Sequence, residues 1–290
     1  MEKYIKTDDG LSLWSECFGD ARKPAILLIM GAMNQGIHWP DDFCKKLDDA
    51  GFFVIRYDHR DTGKSDGVDF LSKPYDLKRL SQDAICVLTE YGIKRANVIG
   101  FSMGGYISQI IAIHYPDLVE NLVLISTTAD HRPHIQAITG GDHKNFILPS
   151  PDEGYLRKLT ELIKKQPRTK PEFHEYFVKL WKIAYGGTHP FPLKEISSIL
   201  HSSEERESTT LSPINHVSAM VKSEDRLKEI EKIKARVLII HGKYDPCLPL
   251  EHGEYLANCI PDSQIKLLNM GHFFQWSLSD DILSEVIRFI

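Results

Sequence analysis

Val98-Ile99-Gly100-Phe101-Ser102-Met103-Gly104-Gly105 decides how this 290-residue chain is to be read, because an apolar run stops there at a serine fenced by glycines. The spacing Gly100-x-Ser102-x-Gly104 is that of a nucleophile elbow, a strand-to-helix turn tight enough to strain the serine's backbone and lift its hydroxyl above a sheet. Positions two before and two after must be small, since side chains there would collide where helix meets strand. The flanks agree: residues 97–101 predict a short buried strand, and residues 103–115, with Ile107, Ile110 and Ile111, predict a helix stopped by Pro116. A serine at that helix's first turn sits by free N–H groups and the positive end of the dipole, where an oxyanion would be stabilised.

Upstream, Asp8-Asp9-Gly10 parts two strand-like runs, 4–7 and 11–17, and predicts an opening β-hairpin. Residues 25–30 are apolar without a break, as in a strand buried on both faces, and lead into the loop Gly31-Ala32-Met33-Asn34-Gln35-Gly36. Residues 42–50 predict a helix, 52–58 a strand, 77–91 a helix with Asp76 as N-cap, and 118–126 a strand after the elbow helix. This alternation predicts an α/β fold with a mostly parallel central sheet and helices on both faces. In such sheets the ligand crevice lies at the carboxyl ends of the strands.

The rhythm breaks between residues 129 and 233. Helical patterns over 155–165, 171–185 and 213–221 are parted by joints such as Gly186-Gly187-Thr188-His189-Pro190, and no strongly apolar strand intervenes. A helical lid inserted before the penultimate strand is expected, dividing the chain into core (1–128), lid (129–233) and core (234–290). Tyr155, Phe173, Tyr176, Phe177, Trp181, Tyr185 and Phe191 would give the site an apolar ceiling. Substrate contacts are expected from Met33, His38, Trp181 and Phe273, whereas His131, His134 and His143 read as lid surface. Alternation then resumes, with strands at 236–241 and 264–268 and helices at 251–259 and from 280.

A net charge of −5 with interspersed acids and bases gives no electrostatic footprint for nucleic acid. The five cysteines (Cys17, Cys44, Cys86, Cys247, Cys259) are scattered without a C-x-x-C pair, which argues against a disulfide framework or a zinc site and for a reducing compartment. Residues 1–7 lack a signal-peptide core, and no run approaches the roughly 18 apolar residues of a membrane span. A cytoplasmic protein acting on a small molecule is expected, its oligomeric state left open.

A serine hydroxyl needs a base, and the base needs an acid to hold its tautomer. His272 lies just past the last strand in Asn269-Met270-Gly271-His272, and Asp245 just past the strand before it in Gly242-Lys243-Tyr244-Asp245-Pro246. Both are therefore expected at the sheet edge that carries Ser102, in the chain order Ser, Asp, His that this elbow's fold uses. Asp130, past the strand that precedes the lid, is the alternative acid. A tetrahedral intermediate would need two backbone donors, for which Met103 and Ala32 are the candidates.

With those residues in place the chain resembles the α/β-hydrolases, and within them the aclacinomycin methylesterase-like group. The resemblance is carried by Leu28-Ile29-Met30-Gly31-Ala32-Met33, His38-Trp39-Pro40, Arg56-Tyr57-Asp58-His59-Arg60-Asp61-Thr62-Gly63-Lys64-Ser65, Pro74-Tyr75 and Gly100-Phe101-Ser102-Met103-Gly104-Gly105. It is dense over residues 11 to 126, returns around Asp245 and His272, and is not recognisable in the lid. It implies Ser102 as nucleophile, His272 as base, Asp245 as its acid, and Ala32 and Met103 as oxyanion donors, with no cofactor or metal. Ala32 stands where such relatives usually show a second glycine. The expected activity is hydrolysis of a carboxylic ester of a small apolar molecule, a methyl ester among the candidates. Lactone, thioester or carbon–carbon hydrolysis, perhydrolysis, and ligand reception without catalysis are the alternatives.

Overall fold

The unbroken apolar runs become inner strands because helices cover both of their faces. A computed structural model describes residues 1–165, 167, 169–206, 212–273 and 279–290. Its strands are β1 (Glu2–Lys6), β2 (Ser12–Phe18), β3 (Ala25–Ile29), β4 (Phe53–Tyr57), β5 (Ala96–Phe101), β6 (Val119–Ile125), β7 (Arg236–Gly242) and β8 (Ser263–Leu268). They make one sheet in the order β1-β2-β4-β3-β5-β6-β7-β8. The opening hairpin joins it antiparallel, through β2 against β4, and every pairing from β4 to β8 is parallel.

Core helices are α1 (Asp41–Asp49), α2 (Leu77–Glu90) and α3 (Met103–His114); α2 starts where the Asp76 carboxylate accepts the Arg79 N–H at 2.9 Å. Along β3 the side chains sort by parity. Ala25, Leu27 and Ile29 pack with α2 and α3, while Ile26, Leu28 and Met30 pack with Phe43 and Leu47 of α1. Each fully buried Leu or Ile contributes about 2 kcal/mol by leaving water, so this strand has no solvent face to give up.

Between β6 and β7 the chain runs through α4 (Arg132–Thr139), α5 (Glu153–Ile163), α6 (Lys170–Tyr185), α7 (Leu193–Arg206) and α8 (Asn215–Val221); α9 (Leu250–Cys259) and α10 (Ser279–Phe289) complete the core. Helices α4 and α7 were not anticipated, since α4 is only 8 residues long and α7 carries few apolar positions among its 14 residues. Two other expectations are corrected. Phe173 is 45% exposed and belongs to no ceiling, and His131 is fully buried rather than on the surface, its Nε2 bonding the Met220 carbonyl at 2.9 Å. Among the described residues no helix is long and apolar enough to cross a membrane.

The order of the sheet fixes where a ligand can bind. From β3 the chain passes first to β4 on one side and later to β5 on the other, so β3 and β5 are neighbours whose connections diverge. A crevice opens at such a switch point, beyond the carboxyl ends of the strands. The Gly31–Gly36 loop and Ser102 both lie there.

Candidate active site

Ser102 closes β5 with φ 51° and ψ −117°, a conformation that L-residues avoid. The turn is held by Ser102 N–H bonding the Ile125 carbonyl at 3.0 Å and by the Thr127 hydroxyl donating to the Ser102 carbonyl at 2.8 Å. Gly104 is required by close approach: a Cβ there would stand 2.0 Å from the Ile29 carbonyl oxygen. Helix α3 is thereby pressed against the end of β3. The loop after β3 lies on the serine, a Cβ at Gly31 being 3.3 Å from the Ser102 Cβ.

The Ser102 hydroxyl donates to His272 Nε2 at 3.0 Å, and His272 Nδ1–H donates to Asp245 Oδ2 at 2.9 Å. The other carboxylate oxygen, Oδ1, accepts the backbone N–H groups of Cys247 and Leu248, each at 2.9 Å. Burial pushes the Asp245 carboxyl up, but the His272 imidazole beside it, followed by His241, outweighs that and holds it below the usual value, so it is ionised at neutral pH. A hydroxyl, an imidazole and a carboxylate joined in this order form a path along which a proton can leave Oγ. Asp130 takes no part: Arg132 occupies both of its oxygens, at 2.7 Å each.

Among the described residues the N–H groups of Ala32 and Met103 have no hydrogen-bond partner, while those of Met33, Asn34, Gln35 and Gly36 all do. Two donors beside a nucleophile are what a tetrahedral oxyanion requires. The remaining sequence candidates surround them. Phe273 stacks on Trp181 with ring centres 4.3 Å apart and planes 8° from parallel, and Trp181 tilts against His38 at 5.3 Å. His38 is buried, and both ring nitrogens are engaged, Nδ1 by the Gln35 N–H at 3.0 Å and Nε2 by the Ser203 hydroxyl at 3.1 Å. It offers a ligand only its ring.

Sequence reasoning missed Tyr106, one turn into α3, which is buried and stacks on His131 at 5.3 Å. It also missed His134, expected on the surface but half-buried, whose Nε2 lies 3.3 Å from the Tyr155 hydroxyl. Asp245, Cys247 and His272 bring ligand-type atoms within 4.8 Å of one another. Burial pushes the Cys247 thiol well above its usual value, so the thiolate that a soft cation would bind is disfavoured.

Residues 24–159 match the family model described as alpha/beta hydrolase fold. Over 290 residues the chain is 31% identical to "Rhodomycin D methylesterase DnrP" of Streptomyces peucetius, covering 99% of this chain and 97% of that protein. The chain belongs to the α/β-hydrolase family. "Rhodomycin D methylesterase DauP" of Streptomyces sp. (strain C5) is equally similar, at 31% identity over the same 290 residues, 99% of this chain and 97% of that one. The resemblance therefore runs through the helical segment where the sequence alone did not reveal it. Among solved α/β-hydrolases, the esterase RhEst1 from Rhodococcus sp. ECU1013 superimposes with a TM-score of 0.77 at 18% identity, covering 99% of this chain and 98% of that one, and so supports the fold.

Proposed function

We propose that this α/β-hydrolase is a carboxylic ester hydrolase working through an acyl-enzyme on Ser102, with a methyl ester of an apolar acid as its substrate. The reading is carried by one observation: Ser102 Oγ, His272 Nε2 and Asp245 Oδ2 are joined in series beside two backbone N–H groups that have no partner among the described residues. The relatives named as methylesterases support the ester, and their full-length match supports extending it to this chain.

In this reading Oγ attacks the ester carbonyl as its proton passes to Nε2, and the carbonyl electron pair becomes an oxyanion held by the Ala32 and Met103 N–H groups. Each such donor is worth about 3 kcal/mol of barrier. Collapse breaks the C–O bond, and the alcohol leaves with the proton from Nε2. Water then attacks the acyl-enzyme, giving its proton to Nε2, and the acid departs as Oγ recovers it. Asp245 stays ionised throughout and stabilises the imidazolium.

Residues 129–233 act as a cap over this edge of the sheet, with Met33, Trp181, Phe273 and the His38 ring as the apolar wall of the site. The free cysteines suit a reducing, cytoplasmic location. The deciding experiment is Ser102→Ala assayed with p-nitrophenyl acetate and a panel of methyl esters graded by acyl size. Turnover should vanish with the fold intact, and retention of most activity would refute the mechanism. In the wild type, rates on p-nitrophenyl acetate with none on any methyl ester would refute the substrate class alone.

A further inference from the structure

The loop that carries Ala32 is held from the cap. Met33 adopts φ 64°, a left-handed backbone that a non-glycine residue keeps only when its surroundings enforce it. Its N–H donates to Nδ1 of His216 at 2.9 Å. His216 stands on α8, 183 positions away in the chain, and is fully buried. Its other nitrogen, Nε2, bonds the Arg60 carbonyl at 2.9 Å. A carbonyl can only accept, so Nε2 carries the hydrogen and Nδ1 is left as an acceptor for Met33. Burial holds the ring's pKa down to about 4, which keeps it neutral, and His59, bonding the Met30 carbonyl at 2.9 Å, packs edge-on against it at 5.5 Å. Further along the loop Gln35 and Gly36 are fixed by His38 and Asp58.

We infer that His216 is a positioning residue for the oxyanion site: by accepting the Met33 N–H it sets the peptide that follows Ala32 and so aims the Ala32 N–H at the crevice beside Ser102. The inference rests on the proposed acyl-enzyme mechanism. It gives the cap a part in the chemistry, because α8 must be seated for the loop to hold its shape.

Three replacements of His216 test it. His216→Asn keeps an acceptor near the Nδ1 position, His216→Gln reaches Arg60 but has none near Met33, and His216→Leu has neither. On p-nitrophenyl acetate we expect kcat to fall about 10- to 100-fold in the Gln and Leu proteins, with KM within about threefold, because misplacing a catalytic group by about 1 Å costs up to about 100-fold. The Asn protein should stay within about threefold of wild type. Affinity for an aryl trifluoromethyl ketone, which forms the oxyanion, should drop in step with kcat/KM, whereas affinity for the product acid should not. A merely structural histidine would lower thermal stability in all three without this division. Equal kcat in the Asn and Gln proteins overturns the inference, and that comparison stands even if the Leu protein fails to fold. Ser102→Ala run alongside separates the outcomes: if it remains active, the mechanism is at fault rather than the role of His216.

Discussion

The backbone N–H of His272 donates to the carbonyl of Ala184, 3.1 Å away, so the last turn of α6 grips the peptide that carries the imidazole. The neighbouring residue leaves no room for adjustment. A Cβ on Gly271 would stand 1.8 Å from the Tyr185 carbonyl oxygen and 2.6 Å from the Gly186 Cα, both backbone atoms. Gly271→Ala should therefore push the His272 loop off α6 and lower kcat by at least about 10-fold. Steady-state kinetics, with circular dichroism as a check on folding, would show it.

The choice of acid can be tested directly. Asp245→Asn should lower kcat by about 10⁴-fold, because the amide no longer fixes the tautomer or stabilises the imidazolium. Asp130→Asn, whose carboxylate serves Arg132, should leave turnover within a few-fold of wild type. Parallel kcat measurements on the two proteins suffice.

Arg206, at the end of α7, ties that helix to the sheet side of the molecule. Its guanidinium donates to Gln35 Oε1 at 2.7 Å and Asp58 Oδ2 at 3.1 Å, and lies 4.2 Å from the centre of the Trp14 ring. Asp58 is wholly buried, and burial keeps its carboxyl above the ordinary value despite Arg206 and the N–H groups of Lys64 and Gly36. Arg206→Met removes the carboxylate's charged partner, leaving it the Gly36 and Lys64 N–H groups, and should cost about 3 kcal/mol. Urea unfolding would measure the loss, and adding Asp58→Asn should recover part of it.

Burial holds the pKa of His38, His59 and His131 down to about 3 and of His216 and His252 to about 4. In the unfolded chain each returns to about 6.5. Below that pH the unfolded state binds more protons than the native one, so stability falls as pH falls, down to the native values. Going from pH 7.5 to 5.5 should cost about 1 kcal/mol per buried histidine. Together that is a drop in Tm of about 10 °C or more. Calorimetry at the two pH values would check it, and an unchanged Tm would mean that these rings are not neutral and buried.

The sheet and the hydrogen-bonded series Ser102–His272–Asp245 were legible because each rests on local pattern: an apolar run, then a short loop in which the residue is placed by strand direction alone. The same logic pointed to the loop after β3 and the first turn of α3, where the Ala32 and Met103 N–H groups are proposed as oxyanion donors. His216 was not legible, since nothing near it in the chain points to Met33; only the return of α8 over the core brings them together. His131 misled for a related reason, because a histidine beside Arg132 reads as surface until the Tyr106 ring is seen to lie against it. Nor does spacing distinguish Trp181, which faces inward, from the exposed Phe173 on the same helix.

The φ of 51° at Ser102 makes the elbow a standing thermodynamic debt of about 1–3 kcal/mol, the usual toll for such backbone. Glycine would settle it, giving back only about 0.4–1 kcal/mol through its looser unfolded chain. A Ser102→Gly protein should thus be inert and yet outlast its parent under heat. In the proposed mechanism durability and reactivity pull against each other at a single α-carbon.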